Sequence, residues 1–189
     1  MKKGKLIVYA GPSGVGKGTV KDMFFNKPEL NLHWSVSATS RSPREGEVHG
    51  HHYHFLTNEE FTNWVEQGKF IEWAEFVGNK YGTLKENVDK QLEEGKNVFL
   101  EIEILGVKQI IEKMPEAVTI FLAPPSMEEL ENRLRSRGTE SEETISNRVQ
   151  RAKEEMAEKD LFKYVVVNDE VEKAATEIEE IIKKEIENV

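Results

Sequence analysis

The 189-residue chain contains no cysteine, which excludes disulfides, thiolate nucleophiles and cysteine-based metal sites. Basic residues are outnumbered: 26 Lys and Arg stand against 35 Asp and Glu, for a formal charge of -9. A broad basic face for salt-driven nucleic-acid binding is therefore missing, and no nucleic-acid partner is expected. A local basic cluster in an acidic protein can still hold a small anion. No apolar run approaches transmembrane length. The run near the N-terminus is broken by Gly11-Pro12 and is too short for a signal segment. No membrane association is expected, and a cytoplasmic location follows by default. Internal repeats and low-complexity tails are also absent. What remains, 38% hydrophobic and 32% charged residues, suits one globular domain with small insertions.

Within that frame, short apolar runs read as strands buried on both faces. They are "KLIVYA" (5–10), "NVFLEIE" (97–103), "AVTIFLA" (117–123) and "YVVVN" (164–168). Helical patterns lie between and after them. Val88 and Leu92 precede a stop at Gly95, Val107, Ile110, Ile111 and Met114 share a stripe, and so do Ala174, Ala175, Ile178, Ile181 and Ile182. The alternating charges of that last helix read as a solvated face. Buried strands alternating with helices predict an α/β fold, with a parallel core sheet flanked by helices. Two stretches interrupt the rhythm. Residues 35–83 carry alternating, aromatic-rich strands around one short helix opened by Thr57 and Glu60 at capping-box spacing. Residues 126–158 read as a charged helical pair, capped by Ser126 with Glu129 and Thr139 with Glu142. So little apolar surface predicts weak packing and a movable lid.

The segment "YAGPSGVGKGTV" (9–20) carries the first chemistry. Gly11-x-x-x-x-Gly16-Lys17 follows a predicted strand and opens a predicted helix, the context that a phosphate-binding loop requires. Its N–H groups converge on an anion, the helix N-terminus adds partial positive charge, and Lys17 supplies a point charge. ATP contacts are expected from Ser13, Gly14, Val15, Gly16, Lys17, Gly18 and Thr19. The competing reading is a glycine-rich turn with a surface lysine. Gly18 stands where the pattern wants the hydroxyl that touches Mg²⁺, with Thr19 one step away.

A second cluster follows in "SVSATSRSPREGEVHGHHYHF" (35–55). Arg41 and Arg44 with the Tyr53 hydroxyl can clamp a second phosphate, although a pair of loop arginines by itself is more often solvated surface. In "FIEWAEF" Glu72 alternates with apolar residues and can equally be the solvent face of a strand.

Together with "GPSGVGKGT", "FIEWAEFVGNKYGT", "VFLEIEILGV", "IFLAPPS", "RLRSRGTESEETISNRV" and "VVVNDE", this cluster makes the whole chain resemble guanylate kinase. The resemblance implies a discontinuous P-loop core (1–34, 84–125 and 159–189), a mixed α/β nucleoside-monophosphate-binding insertion (35–83) and a helical lid (126–158). It implies that Arg41, Arg44, Tyr53 and Tyr81 hold the GMP phosphate, and that Ser37, Glu72 and Thr83 read guanine. Lys17, Arg137 and Arg148, with Arg44, would stabilise the transferring phosphoryl group. Arg133 falls at a lid position and Asn168 on the adenine side of ATP. The base assignment has its own logic. Guanine N1–H and N2 amino donors suit a carboxylate, and hydroxyls of Ser37 and Thr83 can donate to O6. Adenine would face that carboxylate with a lone pair, and such mismatches are rejected by orders of magnitude.

Three departures stand out. Glu101 and Glu103 replace the Asp-x-Asp common in relatives, with Glu103 expected near the guanine amino group and Glu101 near the metal or phosphate. Leu105 replaces a Gln. Gly18-Thr19 matches the form also seen in adenylate kinases. Mg²⁺ is expected with ATP, held mainly by water and phosphate oxygens with Thr19 or Glu101 as candidate ligands, so no protein metal site is expected. The tract His49–His54 holds four of five histidines but lacks a framing acid or cysteine, so it reads as a polar loop flanking Tyr53. The expected reaction is direct phosphoryl transfer from ATP to GMP, and to dGMP, with no protein partner. The alternatives are a non-catalytic interaction module of this fold, a kinase for another monophosphate, and a nucleic-acid binder.

Overall fold

The apolar runs become strands and the periodic stretches become helices. In the computed structural model, which describes residues 2–136, 138 and 140–188, the architecture is mixed α/β. A parallel five-stranded sheet, a four-stranded sheet and seven helices occur among the described residues. No helix among them is long and apolar enough to cross a membrane. The chain divides into two compact units, Met1–Leu6 with His33–Ala117 and Ile7–Leu32 with Val118–Val189.

In the second unit, β1 (Leu6–Ala10) and β8 (Val118–Ala123) are buried at every residue and pair in parallel, Tyr9 opposite Ile120. β9 (Tyr164–Val167) pairs with β8 in parallel but is not buried on both faces as its composition predicts. Val166 is buried, whereas Val165 and Val167 are 40% and 48% exposed. The reason is position: β9 ends the strand order, so one face of its pleat is left to solvent. α1 (Lys17–Phe24) packs on α7 (Val171–Glu187), which buries Ala174, Ala175, Ile178 and Ile182. The charges of α7 are not all solvated. Glu179 and Glu185 are buried, and each is paired, as a desolvated carboxylate must be. Glu179 pairs with Lys27 and Lys183, and Glu185 with the Tyr164 hydroxyl and Lys163.

The charged pair of helices also holds more apolar surface than its composition suggests. α5 (Met127–Ser136) and α6 (Glu142–Ala157) pack together, and Leu130, Leu134, Ile145, Val149 and Ala152 are buried. A buried leucine is worth ~1.5–3 kcal/mol, whereas an exposed i,i+4 ion pair such as Arg135–Glu131 is screened by solvent and adds little. The sparse apolar stripe, not the dense charge, holds these helices, which corrects the expectation of weak packing. Ser126 Oγ accepts from Glu129 N–H at 3.1 Å as expected. At α6 the N-cap is Ser141, accepting from Thr144 N–H at 3.2 Å; Thr139, the expected cap, lies outside the described residues.

The first unit contains β2 (Leu32–Trp34) and β7 (Asn97–Glu101). Val98 N–H donates to the Lys5 carbonyl and Lys5 N–H to Asn97 Oδ1. Its own sheet, in the order β4-β3-β6-β5, joins β3 (Ala38–Thr39), β4 (His54–Phe55), β5 (Phe70–Phe76) and β6 (Asn79–Leu84). β3 and β4 are parallel, and the other pairings are antiparallel. α2 (Asn58–Glu66) starts at the Thr57–Glu60 capping box read from the sequence. Phe61 from α2 stacks on Phe70 at 4.5 Å, which seats the helix on a core of Ala38, Phe61, Phe70 and Leu84. α3 (Lys85–Glu93) buries Val88 and Leu92, and α4 (Ile104–Lys113) packs against β5.

Candidate active site in two half-sites

The candidate phosphate-binding half lies in the second unit. After β1 the chain turns back, with Val15 N–H donating to the Pro12 carbonyl at 3.2 Å. Gly14 and Gly16 take φ of 87° and 95°, a region that glycine enters without a steric cost. Gly16 is also hemmed in, since a Cβ there would stand 2.9 Å from Asn168 Nδ2. It caps α1, whose first-turn N–H groups have no intrahelical acceptor and point with the helix dipole at the loop. Lys17 Nζ donates to the carbonyls of Gly11 and Pro12 at 2.6 and 3.2 Å. Arg148 donates to Ser13 Oγ at 2.7 Å and to Glu140 at 2.5 Å. Arg133 donates to Glu129 and to the Asn168 carbonyl at 3.1 and 3.3 Å. Asn168 is buried and donates from Nδ2 to the Val15 carbonyl at 2.8 Å, while its buried Oδ1 has no protein partner.

This half therefore gathers Ser13, Gly14, Val15, Gly16, Lys17, Arg133, Arg148 and Asn168. Gly18 and Thr19 are exposed on the first turn of α1. A Cβ at Gly18 meets nothing within 4 Å, so crowding does not explain the missing hydroxyl. Arg137 lies outside the described residues.

The second half is built from β-register in the first unit. Glu72 on β5 stands opposite Thr83 on β6, and the Thr83 hydroxyl donates to Glu72 Oε1 at 2.6 Å. Glu72 is only 5% exposed. Burial pushes its carboxyl above the usual carboxylate range, opposed by the Thr83 hydrogen bonds and by the charge of Lys113. Glu72 is thus a buried carboxylate rather than the solvent face of a strand. Thr83 has one proton to give, and here it goes to Glu72.

Two residues along β6 from Thr83, on the same face, Tyr81 packs edge-on to Tyr53 at 6.2 Å between centroids. Arg41 lies over the rings of Tyr53 and Phe55 at 5.6 and 5.7 Å. Both of its terminal nitrogens bond Glu47, at 3.0 and 2.9 Å, and Arg44 N–H donates to the same carboxylate at 2.7 Å. The Arg41 guanidinium pulls Glu47 down to about 2, so this pair stays charged throughout the working pH range. The Arg44 side chain is exposed and Ser37 half-buried. Glu101, at the end of β7, and Glu103, at the N-cap of α4, are exposed, unlike Glu72.

Sequence reasoning did not find Glu47, Gly106, Gln109 or Lys113. Glu47 shares the stretch between Arg44 and His49 with Glu45, and nothing local tells which of the two acids turns back onto Arg41. The other three lie on α4, a helix remote in sequence from Glu72. In that tract, His52 and His49 accept through Nδ1 from Val48 and Phe55 N–H. Among the described residues no three His, Asp or Glu gather where one metal ion could be shared.

The family model described as guanylate kinase matches residues 3–185. A guanylate kinase of Bacillus anthracis is 52% identical over 181 residues, 96% of this chain and 88% of that protein. One of Bacillus subtilis (strain 168) is 49% identical over 181 residues, 96% of this chain and 89% of that protein. The crystal structure of guanylate kinase from Anaplasma phagocytophilum superposes with a TM-score of 0.72 at 32% identity, covering 98% of this chain and 87% of that one.

Proposed function

The chain belongs to the guanylate kinase family, and from that premise we propose how its two half-sites share the phosphorylation of GMP to GDP by ATP. The chain is a kinase of this specificity; the division of labour among its residues is our reading. The observation that carries it is the buried Glu72–Thr83 pair. Burying a carboxylate without a cationic partner in hydrogen-bond contact is costly, and guanine repays that cost by presenting two adjacent donors. Ser37 gives its proton to O6. Glu103 lies toward the guanine amino group and Glu101 toward phosphate. Arg41, Arg44, Tyr53 and Tyr81 take the GMP phosphate. The region 35–83 acts as the GMP-binding insertion, 126–158 as the lid and the remainder as the core, and dGMP is a substrate alongside GMP.

The nucleophile is an α-phosphate oxygen of GMP. The second pKa of a phosphomonoester is ~6, so this oxygen is anionic at neutral pH and no general base is required. Positioning and charge stabilisation are the work that remains. Lys17 leaves the Gly11 and Pro12 carbonyls for the β- and γ-phosphates. Arg148 comes down from the lid, exchanging Glu140 for phosphate, and closure excludes water; Arg137 is assigned to the same phosphoryl group from the sequence pattern alone. Asn168 offers its unpartnered Oδ1 to the adenine amino group, with Arg133 beside it. The donor set suits Mg²⁺ bound through water and phosphate oxygens, with Thr19 as the hydroxyl at hand. The ion, when bound, neutralises charge on the transferring phosphates. The reaction belongs to the cytoplasm.

A coupled assay of ADP release with GMP, dGMP, AMP, UMP and CMP tests this reading. GMP and dGMP support turnover and the others do not; turnover with AMP equal to that with GMP overturns the role of Glu72.

A further inference from the structure

β5 is the edge of the four-stranded sheet. Along it, Glu72 faces its partner Thr83 on β6, so the backbone groups of its neighbours Ile71 and Trp73 turn outward, where no strand follows. Such groups must find partners elsewhere, and three of them go to α4. Gln109 supplies both halves of a strand contact: Trp73 N–H donates to its Oε1 at 3.1 Å, and its Nε2 donates to the Trp73 carbonyl at 2.7 Å. Lys113 Nζ donates to the Ile71 carbonyl at 2.8 Å.

The spacing explains why a helix can do this. One turn from residue 113 to 109 rises ~6 Å, and two residues of strand rise ~6.7 Å, so the two elements run alongside in opposite directions. One further turn back lies Gly106, and there a Cβ would overlap Glu72 Oε2. The pairing of β5 with β6 also shifts register between Phe70 and Glu72. Irregularities of this kind re-aim side chains, and Lys113 is attached at that step.

We propose that α4 is the positioning element for guanine recognition. Gln109 and Lys113 lock the backbone on both sides of Glu72, and Gly106 leaves the space its carboxylate occupies. None of the three is taken to touch the nucleotide through its side chain. They act by holding the angle at which Glu72 meets guanine, so they set selectivity for GMP rather than the rate of transfer. The proposal rests on the reading of Glu72 as the guanine-reading group.

Three variants of the full chain test it: Gln109→Leu, which removes both bonds at similar volume, Gly106→Ala, which crowds the carboxylate, and Glu72→Gln. The readouts are KM for GMP, KM for ATP, kcat, the preference for GMP over IMP, which lacks the N2 amino group, and thermal midpoint. Gln109→Leu and Gly106→Ala raise KM for GMP by about 10-fold and shrink the GMP-over-IMP preference, leaving KM for ATP unchanged. If Gln109→Leu lowers the thermal midpoint while KM for GMP and the IMP ratio stay put, α4 merely covers an edge and the proposal is wrong. Equal changes in both KM values overturn it too. Should one variant not fold, the other decides alone. If Glu72→Gln itself leaves the GMP-over-IMP preference intact, the reading of Glu72 falls and the proposal with it. A loss in Glu72→Gln with no change in the α4 variants overturns only the positioning role.

Discussion

The two proposed half-sites meet the same need, holding an anionic nucleotide, by opposite means. On the ATP side the cations are long, half-exposed and parked: Lys17 on two loop carbonyls, Arg148 on Ser13 and Glu140. The rigid part there is backbone, set by glycines at positive φ and by the start of α1. On the GMP side the group proposed to read the base is itself held in place. Glu72 is buried, bonded to Thr83 and flanked by backbone tied to α4. Phosphate tolerates approximate charge placement, because Coulomb attraction falls slowly with distance. Base discrimination depends on hydrogen-bond angles and on leaving mismatched polar groups unpaired. The difference in construction follows from that difference in physics.

The largest expected effect separates charge from framework on the ATP side. Lys17→Ala lowers kcat by about 10²–10³-fold, while the thermal midpoint moves little, because glycine conformations already shape the loop whose carbonyls the ammonium bonds. A melt that collapses with the variant shows instead that Lys17 holds the loop together. On the GMP side, Glu72→Gln lowers kcat/KM for GMP by about 100-fold with KM for ATP unchanged. Its effect on stability has the opposite sign to its effect on activity. Burial raises the Glu72 pKa above its unfolded value, so the ionised native protein bears a cost at neutral pH that disappears as pH falls toward the ordinary carboxylate range. Glu72→Gln therefore melts at the same temperature or higher at pH 7, and its advantage shrinks on acidification. Calorimetry showing the variant less stable at neutral pH contradicts the burial argument.

A smaller effect follows in the pH dependence of binding. As pH falls through the raised Glu72 pKa, KM for GMP climbs by up to about 10-fold per pH unit. Glu47, held down to about 2, keeps the Arg41 clamp unchanged over that range. In Glu72→Gln only the part due to the nucleotide's own phosphate, titrating near ~6, remains; profiles that coincide for the two proteins remove Glu72 from the explanation. Smallest of all is Gly18→Ser. The open space there predicts a change in stability within about 0.5 kcal/mol, and a Mg²⁺ titration of activity reports whether a restored hydroxyl tightens the metal requirement.

Legibility from the sequence tracked the same divide. The loop at 11–17, the core strands and the Thr57–Glu60 capping box were readable because each rests on residues adjacent in the chain. Val165 and Val167 misled, since composition cannot tell an edge strand from a central one. The charge density of α5 and α6 masked the few leucines that hold them, and that of α7 hid two buried, paired glutamates. Glu72 was readable as a member of a pattern but not as a buried group, because its burial comes from β6 and α4. Gln109 and Lys113 looked like ordinary helix surface, and nothing local marks a side chain that stands in for a missing strand.

By itself, then, the order of residues determined the loop proposed to hold an anion: glycine conformations and a helix start are local properties of the backbone. Only the tertiary structure decided the surroundings of Glu72, the group proposed to read the base. The burial of Glu72, the direction of the Thr83 proton and the support from Gln109, Lys113 and Gly106 arise when β5 meets β6 on one side and α4 on the other. Those contacts join residues far apart in the chain, and hydrogen-bond angle, unlike charge, is a property of the assembled neighbours.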